Sequence, residues 1–239
     1  MKFIRIYNFI RKNKTEIYTA IFGEYDYLKE PPQIDNVDFI CFTDKKNLRS
    51  EKYKIIRKKP LLKDPARNAR MYKVLPHIFL HNYQYTIWID ASFQIKEGIT
   101  LDELLRHVGN NNIAIFKHPE RECIYEEINA CKYYKRDDFD IMEKQINYYH
   151  EQHYPKNNGL VACGFIIRKN LTKDVIKLNE EWWSQITQFS KRDQLSFNYV
   201  CWKNNINYTV IEGLIWDNKF IKFIGHKKHL KFKYEVELL

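Results

Sequence analysis

The sequence predicts a single α/β domain: a sandwich with helices on both faces of a mostly parallel sheet. Three observations predict it. Short apolar, β-branched or aromatic runs recur at 17–22, 37–42, 53–57, 85–89, 113–116, 159–168, 208–211 and 221–224, and helix-patterned stretches separate many of them, the alternation that builds parallel sheets. With 239 residues, 44% hydrophobic and 15% aromatic, the chain can bury one sizeable core and is too apolar to be disordered. Seven glycines and seven prolines leave no room for a long flexible linker.

The elements follow in order. Ile17 to Phe22 reads as the first strand and Gly23-Glu24-Tyr25-Asp26-Tyr27 as the turn after it, with a glycine that lets backbone approach a ligand. Val37 to Phe42 is a second strand ending at Thr43-Asp44, and Tyr53 to Arg57 a shorter third. Asp64-Pro65 opens a helix, acid as N-cap and proline at the first helical position, that halts near Pro76. Along it Arg67, Arg70 and Lys73 succeed one another at i,i+3 with no acid between them. Such a comb suits a diphosphate better than a solvated face, which would mix in acids.

Tyr85 to Ile89 is the most apolar strand, and Asp90 stands where it stops. A carboxylate there needs a cation or donors, and in open α/β sheets the ligand crevice lies at the strands' carboxyl ends. Asp90 is therefore either a site residue or the cap of the turn before Phe93. Thr100 to Val108 is a helix with a capping box from Thr100 and Glu103, and Ile113 to Phe116 another strand. His118 and Arg121 follow its end, ground for substrate contacts; Glu126 and Glu127 read as solvated helix surface. Lys132 to His153 reads as one long helical region. In the strand 159–168, the small residues Ala162, Cys163 and Gly164 suggest backbone close to a sugar or to another strand. Asp174 to Phe189 is helical, and Ser190 and Asp193 read as N-cap and N3 of the next helix.

Net charge is +10, favouring anionic partners, yet lysines and arginines are dispersed rather than gathered in the stripe that nucleic acid prefers. A basic nucleic-acid-binding module, using 17 tyrosines for stacking, is the rival this dispersal weakens. Five cysteines without a C-x-x-C pair read as reduced thiols of a cytoplasmic protein. Residues 1–15 alternate apolar and basic side chains, a segment that packs on the domain or lies on an anionic membrane surface, here the inner face.

Trp88-Ile89-Asp90-Ala91-Ser92, the opening Tyr18-Thr19-Ala20-Ile21-Phe22-Gly23, His118-Pro119-Glu120-Arg121 and Arg192-Asp193-Gln194-Leu195-Ser196-Phe197 together resemble a glycosyltransferase-like family. That family includes plant mucilage-related and turgor-regulation proteins and bacterial surface-polysaccharide proteins. The resemblance sharpens the expected fold to a GT-A-like (Rossmann-like) α/β/α sandwich over residues 16–230, with 231–239 as a tail. It implies transfer of a sugar from a nucleotide donor, a UDP-sugar by guess, to a glycan hydroxyl in capsule or lipopolysaccharide synthesis. A hydrolase on the same scaffold is the alternative. By resemblance, Phe22, Gly23, Tyr27, Asp44, Arg67, Arg70, Lys73, Asp90, Ser92 and Lys227 would hold the donor. His118, Arg121, Tyr125, Cys163, Gly164, Arg192, Asp193 and Gln194 would face the acceptor, with Asp193 and Asp90 catalytic. Asp90 and His226 would bind manganese or magnesium together with the nucleotide, since Ser92 stands where the second acid of an Asp-x-Asp motif belongs. No redox cofactor is expected.

Overall fold

The protein is described here by a computed structural model covering residues 14–226. The expected basic segment before Lys14, the tail 231–239 and the donor candidate Lys227 lie outside the described residues. Its strands are β1 (Thr15–Ile21), β2 (Val37–Thr43), β3 (Lys54–Arg57), β4 (Tyr85–Ile89), β5 (Phe93–Ile95), β6 (Ile113–Lys117), β7 (Val161–Lys169), β8 (Thr209–Ile211) and β9 (Ile221–Phe223). Its helices are α1 (Pro65–Val74), α2 (Pro76–Phe79), α3 (Leu101–Leu105), α4 (Ile124–Tyr133), α5 (Phe139–Glu151), α6 (Lys173–Gln188) and α7 (Gln194–Lys203).

Seven strands form one sheet in the order β3-β2-β1-β4-β7-β6-β8, and β7 alone runs against the rest. This is the Rossmann-like, mostly parallel α/β sheet expected. Apolar cores cover both faces, which is why its central strands are near-continuous hydrophobic runs. Along β1, Ile17 and Ile21 enter one core while Tyr18, Ala20 and Phe22 enter the other, as the period of two requires. One core takes side chains from α1 and α4–α7; the other takes them from α3 and the small β5–β9 sheet.

Connectivity locates the crevice. From β1 the chain winds outward through β2 and β3, then returns to place β4 on the other side of β1. The order thus reverses between β1 and β4, and a ligand crevice is expected beyond their carboxyl ends. Phe22 and Asp90 stand there.

Two helical expectations need correction. The region 132–153 is not one helix: α4 ends at Tyr133 and α5 starts after Asp138, whose carboxylate accepts from Ile141 N at 3.0 Å. Nor does Ser190 cap the last long helix. α7 starts at Gln194 with Asp193 in the cap position but making no side-chain cap bond, and Ser190 Oγ instead accepts from Arg192 N and donates to Asp137. Asp193 is thereby freed from the capping role its spacing suggested.

Candidate active site

A cleft of about 890 Å³ opens at the switch point, enough volume for a ligand of nucleotide-sugar size. Its floor is an ion cluster. Asp90 leaves the end of β4 with its backbone N–H bonded to Gly164 O at 2.8 Å, so the strand's pairing with β7 fixes where the carboxylate begins. Its Oδ1 accepts from Trp88 Nε1 at 2.6 Å and from Lys73 Nζ at 3.2 Å. Trp88 and Asp90 are two apart on a strand and share a face, so the contact follows from the pleat. Asp90 does close the turn to Phe93, but with its carbonyl (2.9 Å), leaving the side chain to the cleft.

Lys73, only 1% exposed, bridges Asp90 to Asp193 Oδ2 at 2.5 Å and lies over the Trp88 ring at 5.4 Å. Arg70, one turn earlier on α1, places Nε 3.3 Å from the same Asp193 oxygen. Burial alone would raise the Asp193 carboxyl pKa; Arg70, Lys73 and Arg192 more than offset it and hold the group well below the usual carboxylate range. Asp193 is therefore a firmly ionised counter-ion and, by the same fact, a weak proton acceptor.

The comb is only partly a comb. Arg67 points away from the cleft: its Nη1 donates to Ile186 O and its Nη2 to Phe189 O at 2.8 Å, capping the end of α6. Helix ends leave such carbonyls without partners and favour a cation there. Successive i,i+3 steps rotate around a helix, and the third cation has turned onto a neighbouring helix.

Other expected residues divide in the same way. Phe22, Ser92, His118, Cys163, Gly164, Arg192 and Gln194 line the cleft with the ion cluster. Tyr27, Asp44, Arg121 and Tyr125 are not among its lining residues. Asp44 accepts from Gly23 N at 3.1 Å and so shapes the β1 loop rather than reaching into the cleft. Gly23 adopts φ +65°, and a Cβ there would come within 3.1 Å of Pro65: its smallness serves packing on α1, not approach to a ligand. Gly164 likewise yields its space to Phe93, which a Cβ would meet at 2.7 Å.

Arg121 binds Glu127 at 2.6 Å, and Tyr125 donates to Tyr154 O at 2.8 Å. Glu127 is therefore buried and paired, not solvated surface. His118 does face the cleft, but its Nδ1 accepts from the backbone N–H groups of Glu120 and Arg121, and burial lowers its pKa. Cys163 is 2% exposed, and burial raises its thiol pKa, which disfavours the reactive thiolate.

Asp90 and His226, the expected metal pair, both line the cleft. His226 Nδ1 lies 3.1 Å from Asp26, and among the described residues no group of three His, Cys, Asp or Glu side chains is placed to hold an ion. Asp90 offers one oxygen, with Lys73 on the other. These residues do not fit a divalent site made of protein ligands alone.

Several lining residues escaped the sequence reading. Tyr25, Trp216 and Phe223 join the expected His226 in an aromatic string along one wall, with Trp216 and Phe223 centroids 5.1 Å apart and Tyr25 and His226 5.0 Å apart. Trp216 is 44% exposed there. Tyr134, Lys135 and Arg136, brought in by the break between α4 and α5, form part of another wall.

Over 219 residues the chain is 24% identical to the probable hexosyltransferase MUCI70 of Arabidopsis thaliana, covering 77% of this chain and 36% of that one. Over 253 residues it is 25% identical to the alkaline ceramidase TOD1 of Arabidopsis thaliana, covering 89% of this chain and 53% of that one. The chain thus spans about a third to a half of these curated relatives. Residues 7–229 match the model of the TOD1/MUCI70 glycosyltransferase-like domain, and the chain belongs to that family.

Proposed function

We propose that the protein transfers a sugar from a nucleotide-activated donor to a glycan hydroxyl. The observation that carries this reading is the cation pair of half-buried Arg70 and buried Lys73, braced by Asp193, at the β1–β4 switch point beside Asp90. In such a transfer the bond from the sugar's anomeric carbon to the diphosphate breaks as the acceptor oxygen bonds to that carbon. The acceptor's proton passes to solvent water, and the diphosphate leaves with added charge. Cations fixed in a partly dry site stabilise that charge without having to reorganise. Asp193 keeps Lys73 and Arg70 in place rather than accepting the proton, which its depressed pKa disfavours.

A manganese or magnesium ion bound together with the donor would be held by Asp90 and the diphosphate, and would help offset the charge of the leaving group. The donor is assigned as a UDP-sugar and the acceptor as a surface polysaccharide, capsule or lipopolysaccharide, assembled at the inner face of the membrane. The excess of basic residues supports an anionic surface or acceptor. Thermal shift with a panel of nucleotide sugars, with and without manganese, tests the reading. At least one should raise the melting temperature in a concentration-dependent way, as any ligand that binds only the folded state must. No shift with any of them would end it.

A second reading is favoured by the exposed aromatic wall and by the ceramidase relative: hydrolysis of a lipid amide in the same cleft. It predicts release of fatty acid from ceramide with no nucleotide present, and failure to release any would dismiss it.

A further inference from the structure

Arg168 is next to last in β7 with no exposure at all, yet no carboxylate pairs with it among the described residues. Two of its nitrogens, Nε and Nη2, have no hydrogen-bond partner. An unmatched buried guanidinium is costly, and an apolar side chain of similar volume would commonly serve stability better. What the cation does touch is consistent. Its Nη1 donates to the Lys73 carbonyl at 2.8 Å and to the Tyr18 hydroxyl at 3.2 Å, and Tyr18 donates to the same carbonyl at 2.9 Å.

Lys73 is next to last in α1, where carbonyls lack helical partners and a cation complements the dipole. Its backbone is thus gripped from behind while its ammonium enters the cleft in front. Two more contacts lead from the same place to the other members of the cluster. The guanidinium lies over the Trp182 ring at 5.8 Å, and Trp182 Nε1 donates to the Asp193 carbonyl at 3.0 Å. Tyr18 meets Trp88 edge-on at 5.1 Å, and Trp88 is the donor that holds Asp90.

We infer that Arg168 is a positioning residue that backs the Lys73–Asp90–Asp193 cluster from within the core and is kept there at the expense of stability. The link to catalysis rests on the proposed function; the positioning itself does not. The test is acetylation of intact protein with acetic anhydride, with labelling of Lys73 followed by mass spectrometry, in wild type, Arg168→Met and Tyr18→Phe. Melting temperature and UDP affinity are measured on the same samples. In the wild type, Lys73 is buried and ion-paired and should label slowly. Arg168→Met should melt at the wild-type temperature or above while Lys73 labels about tenfold faster, the factor that loss of a charge-assisted hydrogen bond would give. Tyr18→Phe, which removes one hydroxyl, should move labelling in the same direction by a smaller factor.

UDP affinity should fall alongside. Faster labelling with unchanged UDP affinity would support the positioning role and overturn the diphosphate role of Lys73. A folded Arg168→Met in which Lys73 stays protected would overturn the inference, and so would a lower melting temperature with protection intact. If Arg168→Met does not fold, unchanged labelling in Tyr18→Phe overturns it.

Discussion

The sheet buries carboxylates at both ends, and the two ends treat them in opposite ways. At the carboxyl end, Asp193 is 3% exposed and its pKa is driven down because Arg70, Lys73 and Arg192 outweigh burial. At the amino end, Glu16 on β1 is fully buried, and no cation forms an ion pair with it among the described residues. Its pKa is pushed well above the carboxylate range, first by burial and further by the charge of Asp38. Lys14 lies nearby but is paired with Asp38. Burial by itself makes an acid hold its proton; only cations fixed beforehand make a buried acid an ion. Preorganised charge is found at the end where the strand order reverses.

Removing the bridging cation should break this contrast most severely. Lys73→Met leaves buried Asp193 and cleft-lining Asp90 without the cation that bridges them, and a broken buried pair costs about 3–5 kcal/mol. Chemical denaturation should show that loss, with the Asp193 pKa less depressed than in the wild type, since Arg70 and Arg192 remain beside it. A variant as stable as wild type would mean that the cluster is not a coupled unit. Asp90→Asn is milder for the fold, since an amide oxygen can still accept from Trp88. Sugar transfer should nevertheless fall by at least about 100-fold, the scale of losing one electrostatic contact to a transition state. Near wild-type turnover would return Asp90 to turn chemistry.

Proton linkage sharpens the other end. Native Glu16 keeps a proton that the unfolded chain releases above its ordinary pKa of about 4.3. The folded state thus binds more protons, and stability falls as pH rises through the range between the two values, by at most about 1.4 kcal/mol per pH unit. Asp193 has the opposite sign: its contribution is present above the unfolded pKa and is lost as pH falls toward the folded one. Glu16→Gln should therefore flatten the decline above pH 5 and raise stability at neutral pH. Denaturation curves in which the pH slope persists would show that Glu16 is ionised.

Much of the scaffold was legible in the sequence because its signals are local. Asp64-Pro65 marks the start of α1, the Thr100–Glu103 capping box forms, and the apolar run 85–89 is a central strand. Asp90, Arg70 and Lys73 were legible because a strand end and one helix face bring together residues whose types already suit the chemistry. What was hidden depends on distant partners. Arg67 has the same spacing as its neighbours, and only the end of α6, more than a hundred residues later, decides that it is a cap. Glu127 looked solvated until His118 and Arg121 folded onto it. The Asp26–His226 contact and the aromatic wall join the β1 loop to the segment around β9, a pairing that no local pattern encodes. The strand-spaced Trp88-x-Asp90 pair was a usable signal that went unread.

The most direct test of the account sets Arg70 against Arg67, two arginines one turn apart with opposite assignments. Calorimetric titration of UDP, with manganese present throughout, into wild type, Arg70→Ala and Arg67→Ala reads the difference. The account predicts a loss of about 1.5–3 kcal/mol in Arg70→Ala, the range for a hydrogen bond to a charged group, and unchanged affinity in Arg67→Ala. Equal UDP affinity in all three proteins would contradict it.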